Sequence, residues 1–247
     1  MSKRQEIRSR RQRERQRNRL LVILLVAAGA LLIVFALIWP MINPARTATV
    51  QVTPITPRTF GAKVDGVHLG DPNAKVKMDV WEDFQCSGCL AYTRDLEDQI
   101  IHTFVDTGNV YYTFHFFPFI DGGNANGESH LAANAAMCAN AQGRFWDYHD
   151  ILFANWLGEN VGSYTSAHLT AFAQSLGLDM AAFNKCFQAQ TYNNEIEQDY
   201  QAGTQRGVPP TPGIFVNGKI VVNSTSANYI ATFDDISKAI NAALAGN

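Results

Sequence analysis

The sequence of 247 residues has few cysteines and, after its first nineteen residues, few positive charges. Four cysteines in a chain of this length do not indicate a small fold held together by disulfides, and no segment repeats or is of low complexity. Residues 1–40 contain nine of the 20 Lys and Arg and two of the 22 Asp and Glu, which leaves eleven basic against twenty acidic side chains in residues 41–247. Such an acidic body lacks the basic face of a nucleic-acid enzyme.

Charge is also missing from residues 20–39, which form an apolar run of twenty residues. As a helix this run would be about 30 Å long, the thickness of a hydrocarbon core. It is longer than the apolar region of a cleaved signal peptide and no convincing cleavage site follows it. We therefore predict a transmembrane signal-anchor over residues 20–40, with a cleaved signal as the alternative.

The nine basic residues of the tail, residues 1–19, predict the orientation of the chain. Basic flanks remain in the cytoplasm, so the tail is predicted to be cytoplasmic and the remainder to lie outside a single-pass span of the cell membrane. A nucleic-acid-binding arm is the other interpretation of such a charge run. An extracytoplasmic body lies where disulfides form and persist.

Four prolines between residues 40 and 57 predict an extended, semi-rigid linker over 41–60, and the folded domain is predicted over 61–247. Within it, the apolar pattern predicts a strand over 76–84, then a helix, then a buried aromatic strand over 110–117. Residues 122–205 carry helical stripes and no good strand, so they are predicted as a helical insert. An Asn-Gly turn predicts a hairpin over 213–222, and a closing helix is predicted over 233–244.

The chemistry centres on Cys86-Ser87-Gly88-Cys89, where the first predicted strand gives way to a helix. Unpaired N–H groups at a helix N-terminus stabilise a thiolate and lower the thiol pKa. Cys86 can then attack a disulfide, and Cys89, one turn on, can resolve the mixed disulfide. Zinc would need two more ligands at a matched spacing, which neither the six histidines nor the other cysteines offer. A purely structural bond would close too short a loop to stabilise the fold much.

The two remaining cysteines, Cys138 and Cys186, each stand on the apolar stripe of a predicted helix in the insert. Free, buried thiols are one interpretation, because cysteine packs as a small hydrophobic residue. In an oxidising compartment, two unpaired thiols near a thiol-exchange site would be open to unwanted oxidation. We therefore predict a structural disulfide between Cys138 and Cys186.

Residues 61–247 resemble the DsbA-like branch of the thioredoxin superfamily, in its membrane-anchored form. The resemblance implies an α/β fold, namely a thioredoxin fold with an inserted helical domain, here preceded by one N-terminal transmembrane helix. It agrees with the order of elements predicted above. The matching stretches are Gly70-Asp71-Pro72, Asp83-Phe84-Gln85-Cys86-Ser87-Gly88-Cys89, Gln142-Gly143-Arg144-Phe145-Trp146-Asp147-Tyr148-His149, Gly207-Val208-Pro209-Pro210-Thr211-Pro212 and Phe215-Val216-Asn217-Gly218.

The resemblance places Thr211-Pro212 in the family's cis-proline loop, which lies against the active-site cysteines and binds an extended substrate segment through its backbone. An ordinary trans turn proline is the alternative, since the loop also contains Pro209 and Pro210. The position just before a hairpin favours the cis form, although cis bonds are a minority of X-Pro bonds.

Two positions depart from the best-known members of the family. The dipeptide between the cysteines is Ser87-Gly88, so no histidine there stabilises the thiolate and a strongly oxidising potential does not follow from the motif. The buried acid that many members place six residues before the first cysteine is Val80 here. Glu82 shares its strand parity and is a candidate proton relay for Cys89. The alternative is that Glu82 and Asp83 are solvent-facing charges at the strand end.

These patterns support three hypotheses about function. The first is an extracytoplasmic thiol–disulfide oxidoreductase that forms disulfides in exported, unfolded or thiol-containing proteins. By family analogy a quinone-linked membrane protein of DsbB or VKOR type would reoxidise it. The second is a thiol reductase or isomerase, for example in cytochrome maturation, and the third is a thioredoxin-fold binding or chaperone module. No cofactor, metal or nucleic acid is expected.

Overall fold

The computed structural model describes residues 25–26, 28–35, 38, 50–224 and 230–246. It contains two compact units, Met1–Val50 and Gln51–Asn247. In the first unit residues 28–35 are helical. Within the described part of the chain, no helix has the length and apolar character needed to cross a membrane. The predicted tail and ten of the 21 residues of the predicted signal-anchor lie outside the described residues.

A six-stranded sheet in the order β1-β2-β4-β3-β5-β6 forms the centre of the second unit. β3 and β4 are parallel and the other neighbouring pairs are antiparallel. β3 and β4 are mostly buried, which explains the dense apolar and aromatic character of the second of them. The strands are β1 (Val64–Asp65), β2 (His68–Leu69), β3 (Val76–Glu82), β4 (Val110–Phe116), β5 (Gly213–Val216) and β6 (Lys219–Ile220).

Helices connect and cover this sheet. The crossover from β3 to β4 is helical throughout: α1 (Ser87–Tyr92), a π-helical turn (Thr93–Glu97), α2 (Asp98–Ile100) and a second π-helical turn (Ile101–Val105). Five helices and no strand occupy the region predicted as a helical insert, and a last helix follows the hairpin. They are α3 (Glu128–Asn140), α4 (Phe145–Ala154), α5 (Ser166–Ser175), α6 (Met180–Gln188), α7 (Asn193–Arg206) and α8 (Phe233–Ala245).

Capping side chains mark where several helices begin. Asp179 accepts hydrogen bonds from two backbone N–H groups of α6, as its position before that helix predicts. Thr232 opens α8 through a capping box with Asp235. The order of elements in the structure is strand, helix, strand, helical insert, hairpin and helix. It confirms the predicted DsbA-like thioredoxin fold.

The proline-containing segment differs from the prediction in its second half. The compact unit begins at Gln51, whereas a linker was predicted over residues 41–60. Thr53 exchanges two hydrogen bonds with the side chain of Asn155 in the insert, and Phe60 packs edge-on against Trp146. Apolar and polar partners on the domain therefore hold residues 51–60 in place, and proline content alone did not reveal them.

Candidate active site

The cysteine pair lies where β3 passes into α1. Cys86 is the residue that caps α1, with extended backbone dihedrals, and its carbonyl accepts a hydrogen bond from Leu90 N at 3.1 Å. Its own N–H donates to the Asp83 carbonyl at 2.9 Å, which closes the turn after the strand. Both thiols are free. Cys86 is 7% exposed and Cys89 is fully buried, so only the first sulfur is open to a substrate.

The two thiols have opposite acidities. The pKa of Cys86 is lowered to about 6, mainly by the hydrogen bond from the Cys89 side chain, against the opposing effect of burial. The Thr211 side chain and the N–H groups of Gly88 and Cys89 lower it further. Burial and the hydrogen bond to Cys86 raise the pKa of Cys89 well above its ordinary value. The pair therefore contains a stabilised thiolate and a protonated thiol at neutral pH.

The predicted proline loop lies across from the first cysteine. The Thr211–Pro212 bond is cis, which confirms that part of the prediction. The Cys86 Sγ lies 3.3 Å from the Thr211 carbonyl oxygen. A Cβ at Gly88 would stand 2.9 Å from that same oxygen and 3.3 Å from Pro212 Cδ. The glycine between the cysteines therefore permits the close approach of this loop.

Residues of the insert hold the turn that presents Cys86. The carboxylate of Asp83 accepts hydrogen bonds from Gln85 N, Ser129 Oγ and Ile120 N at 2.6–3.0 Å. Trp156 Nε1 donates to the Gln85 carbonyl at 2.7 Å. Asp83 is buried, and this burial raises its pKa to about 7 despite the donors around it. The alternative that Asp83 is a solvent-facing charge is therefore wrong.

Glu82 is also buried, at 1% exposure, so its interpretation as a solvent-facing charge is wrong too. Among the described residues, no hydrogen-bond donor reaches either of its carboxylate oxygens. Burial and the charge of Glu97 raise the pKa of Glu82 well above its ordinary value, and its contact with the Cys89 thiol acts in the opposite direction. Val80, at the position where many family members have the acid, is a fully buried core residue.

Four further charged or titratable residues form a cluster with Glu82 that the sequence did not predict. Arg58 Nη1 donates to Glu97 at 2.8 Å, and Arg58 Nη2 donates to Asp150 at 2.7 Å. His149 Nδ1 lies 2.8 Å from Asp150 Oδ1. Two local signals were available: Glu97 interrupts an apolar helical stripe, and His149 and Asp150 directly follow an aromatic run.

The same cluster contains a possible metal-ligand set in the described part of the chain. One ligand atom each of Glu82, Glu97 and His149 lies within 4.8 Å of the other two. However, both oxygens of Glu97 already accept hydrogen bonds, from Arg58 and from the hydroxyl of Tyr112. Donors of the protein therefore already occupy the carboxylate that Glu97 would offer to an ion.

The other two cysteines are joined in the insert. A disulfide connects Cys138 in α3 to Cys186 in α6, with the two Cα atoms 5.8 Å apart. It closes a loop with a sequence separation of 48. Both helices follow the active-site turn in the chain. The bond holds them together although they are far apart in sequence.

Comparison with known proteins gives three informative matches beside a thioredoxin family model that matches residues 62–242. Disulfide bond formation protein D of Bacillus subtilis is 26% identical over 181 residues, covering 72% of this chain and 77% of that protein. Na(+)/H(+) antiporter NhaA 3 of Salinispora tropica is 30% identical over 156 residues, but these are 63% of this chain and only 22% of the antiporter. The crystal structure of oxidised BdbD from Bacillus subtilis superposes with a TM-score of 0.64 at 25% identity, covering 79% of this chain and all of that one.

The matches agree with the geometry. The family model spans the sheet, the cysteine pair, the proline loop and most of the last helix. The BdbD structure matches over the whole of its length. The chain therefore belongs to the thioredoxin family, in the DsbA-like form of the fold that its sequence predicted.

Proposed function

We propose that this protein is a membrane-anchored thiol–disulfide oxidoreductase that donates the Cys86–Cys89 disulfide to exported proteins outside the cytoplasm. The observation that carries the proposal is the pairing of an acidic, solvent-reachable Cys86 with a buried, protonated Cys89. The similarity to a protein named for disulfide bond formation supports it. The cis-proline loop within 3.3 Å of Cys86 supplies a backbone edge for a substrate.

The reaction begins when a substrate thiolate attacks Cys86 Sγ of the oxidised pair. A new substrate–Cys86 disulfide forms, the Cys86–Cys89 bond breaks, and Cys89 leaves and takes up a proton. A second substrate thiolate then attacks the substrate sulfur, and Cys86 leaves as a thiolate. Two substrate thiols are oxidised to one disulfide and the enzyme gains two electrons.

The direction follows from the stability of the reduced form. A low pKa at Cys86 stabilises the thiolate that reduction produces, and a stabilised reduced form makes the disulfide a stronger oxidant. A reductase or isomerase is the second candidate, which the Ser87-Gly88 dipeptide leaves open.

The proposed cycle needs a partner that reoxidises the reduced pair. By resemblance, this partner is a quinone-linked membrane protein of DsbB or VKOR type. The apolar run at residues 20–40 and the basic tail before it support a single-pass anchor that would keep the domain beside such a partner. Residues 41–50 would then be the segment between anchor and domain.

Trapping of intermediates tests the mechanism. In the Cys89→Ser variant, Cys86 still forms a mixed disulfide but no thiol resolves it, so covalent complexes with exported proteins should accumulate. The Cys86→Ser variant is the matched control and should form none. Complexes absent from the first variant, or equally abundant in both, would contradict the proposal.

A further inference from the structure

Cys89 presents a proton-transfer problem that the cysteine pair alone does not solve. Its thiol must gain a proton when the enzyme is reduced and lose it when the enzyme is reoxidised. Cys89 is 0% exposed, and Glu82, the acid beside it, is 1% exposed. A buried acid that exchanges a proton with Cys89 must itself exchange one with water, and neither group reaches the surface.

His149 lies next to Glu82. Its Nδ1 is 2.8 Å from Asp150 Oδ1, an oxygen that only accepts, and 3.4 Å from Arg58 Nη2, a nitrogen that only donates. We assign the proton to Nδ1 on the shorter of these two contacts, which leaves the lone pair on Nε2. Nε2 is buried, has no hydrogen-bond partner among the described residues, and lies 3.9 Å from Glu97 Oε1. A nitrogen of the ring and an oxygen of Glu82 lie within 4.8 Å of each other.

These unpartnered atoms identify a site rather than a passive core. A buried polar atom without a hydrogen-bond partner destabilises the fold, and here both oxygens of Glu82 and the Nε2 of His149 lack one. The two groups are complementary, since a protonated carboxyl donates and a bare imidazole nitrogen accepts. A small rotation of the carboxyl group or one bridging water spans a gap of this length.

The far end of the cluster reaches the surface. Asp150 has a side-chain exposure of 14%, against 0% for His149. With Arg58, Thr93 and Phe153, Asp150 lines an open cavity of about 370 Å³. The side chains therefore run in order from the buried thiol to solvent: Cys89, Glu82, His149, Asp150.

We propose that Glu82, His149 and Asp150 form a proton path between Cys89 and the cavity beside Arg58. The inference rests on the proposed function, because it concerns the protons of that same thiol exchange. The groups that face the path from the surrounding elements are Cys86, Arg58, Tyr92, Glu97 and Tyr112. Arg58 and Tyr112 both donate to Glu97, which leaves Glu82 as the group that accepts and releases the proton.

Every proton that leaves one group of the path is accepted by the next group or by water. During reoxidation the protonated Glu82 passes its proton to His149 Nε2, while His149 Nδ1 releases its own proton to Asp150 and then to water. The Glu82 carboxylate takes the proton of the Cys89 thiol, and the Cys89 thiolate attacks the mixed disulfide. The imidazole is left in the opposite tautomer, with the proton on Nε2.

The next half-reaction restores the starting tautomer. When a substrate reduces the pair, the leaving Cys89 thiolate takes a proton from Glu82. Glu82 is reprotonated by His149 Nε2, and Nδ1 takes a proton from water through Asp150. In each full cycle one proton moves inward along the path and one moves outward. The His149 ring therefore returns to its starting tautomer without rotating.

Stopped-flow reaction of the reduced protein with 5,5′-dithiobis(2-nitrobenzoate) tests the path. The first thiolate release reports attack by Cys86 and the second reports attack by Cys89. In His149→Gln we expect the second rate constant to fall at least tenfold and to lose its wild-type pH profile and solvent deuterium effect. The first rate constant and the pH midpoint of Cys86 should not change. His102→Gln, on an exposed histidine, is the matched control and should leave both phases intact.

Either of two outcomes would overturn the path. The first is a second phase of wild-type rate in His149→Gln. The second is an equal loss in both phases, which would indicate damage to the whole site. If His149→Gln does not fold, Asp150→Asn carries the same expectation and the same grounds for rejection. Wild-type protein that shows no reaction at Cys86 would count against the proposed function instead.

Discussion

Cys86 and Cys89 are separated by two residues, yet the chain gives their thiols opposite properties. Cys86 caps a helix, is stabilised as a thiolate by hydrogen bonds from three neighbouring residues and is 7% exposed. Cys89 lies one turn deeper, fully buried and beside the acidic side chain of Glu82. Burial opposes ionisation of both thiols, and only at Cys86 do hydrogen bonds outweigh it.

The first prediction concerns the pH dependence of alkylation. The rate of iodoacetamide reaction with reduced protein should follow a single titration with a midpoint near pH 6, because only the Cys86 thiolate is both present and accessible. Replacing Cys89 with serine should move the midpoint upward, since the Cys89 side chain contributes the largest lowering effect. A midpoint near that of a free thiol would contradict the assignment.

The second prediction is the stability linkage of the same shift. The pKa of Cys86 is 9.0 in the reference state and about 6 in the folded, reduced protein. Between these values the unfolded chain binds the extra proton, so the free energy of unfolding rises with pH. The stabilisation is complete above about pH 9 and lost as the pH falls through 6. Urea unfolding of reduced protein and of Cys86→Ala across this window measures it, and parallel pH profiles would rule it out.

The third prediction concerns Gly88. In Gly88→Ala the new Cβ would lie 2.9 Å from the Thr211 carbonyl, so the proline loop must move away from Cys86. We expect oxidation of a reduced, unfolded protein to slow about tenfold, because the shift that relieves this contact is only a fraction of the displacement of about 1 Å that costs about a hundredfold. Ser87→Ala, at the exposed neighbour, is the control and should retain its rate. Equal rates for both variants would show that the loop does not position the substrate.

At the residue scale the sequence predicted the cysteine pair and the proline loop because both are local motifs. It indicated Glu82 as a candidate proton relay but did not predict whether Glu82 is buried. The alternation of side chains along a strand does not show which end of the strand other elements cover. It did not predict the cluster around Arg58, whose partners are 39 and 92 residues away along the chain. Such contacts depend on how the insert packs on the sheet, which no local pattern encodes.

At the scale of elements, the insert is tied together by α3 and α6. Both helices carry apolar stripes, and the Cys138–Cys186 bond joins them across 48 positions of sequence. This bond is distinct from the active pair, because both of its cysteines are consumed in the disulfide while Cys86 and Cys89 are free.

The fourth prediction follows from that separation. Replacing both Cys138 and Cys186 with alanine should lower the free energy of unfolding by about 4 kcal/mol, the loop-entropy value for a loop of this length. The alkylation midpoint of Cys86 should stay unchanged. Thermal unfolding and iodoacetamide titration of the same sample measure the two effects. Loss of thiol exchange without loss of stability would mean that this pair, and not only Cys86–Cys89, takes part in exchange.

Among the elements, long periodic segments were predicted well and short pairings were not. β3, β4, the hairpin and α8 appear within two residues of the predicted bounds, apart from the shorter second strand of the hairpin. β1 and β2 were missed, because each has two residues and lies in a turn-rich stretch that shows no alternation. They are strands because β2 pairs with the edge of β4 and β1 pairs with β2.

At the scale of the whole domain, residues 51–60 are part of the folded unit and not a linker that precedes it. Arg58 connects this segment to the crossover helix through Glu97 and Asp98, and to the insert through Asp150. Its side chain is 16% exposed and stacks against Phe60 and Trp146. One guanidinium therefore links three separate parts of the chain.

The fifth prediction concerns that link. Arg58→Met should lower the free energy of unfolding by about 3 kcal/mol, because it leaves buried carboxylates without their counter-charge. The pKa of Asp150 is lowered, against burial, by His149 and Arg58, so this stabilisation is present above the carboxyl's ordinary pKa and fades as the pH falls below about 4. Urea unfolding at pH 7 and at about pH 2 measures both effects. Arg94→Met, on an exposed ion pair, should cause no measurable loss, and an equal loss there would refute the account.

The equilibrium between the Cys86–Cys89 disulfide and glutathione tests the central claim most directly. A Cys86 pKa of about 6, below the roughly 7 of the thioredoxin cysteine, predicts a pair more oxidising than thioredoxin, with a potential above its roughly −270 mV. A value close to that of thioredoxin would contradict the oxidase and favour a reductase.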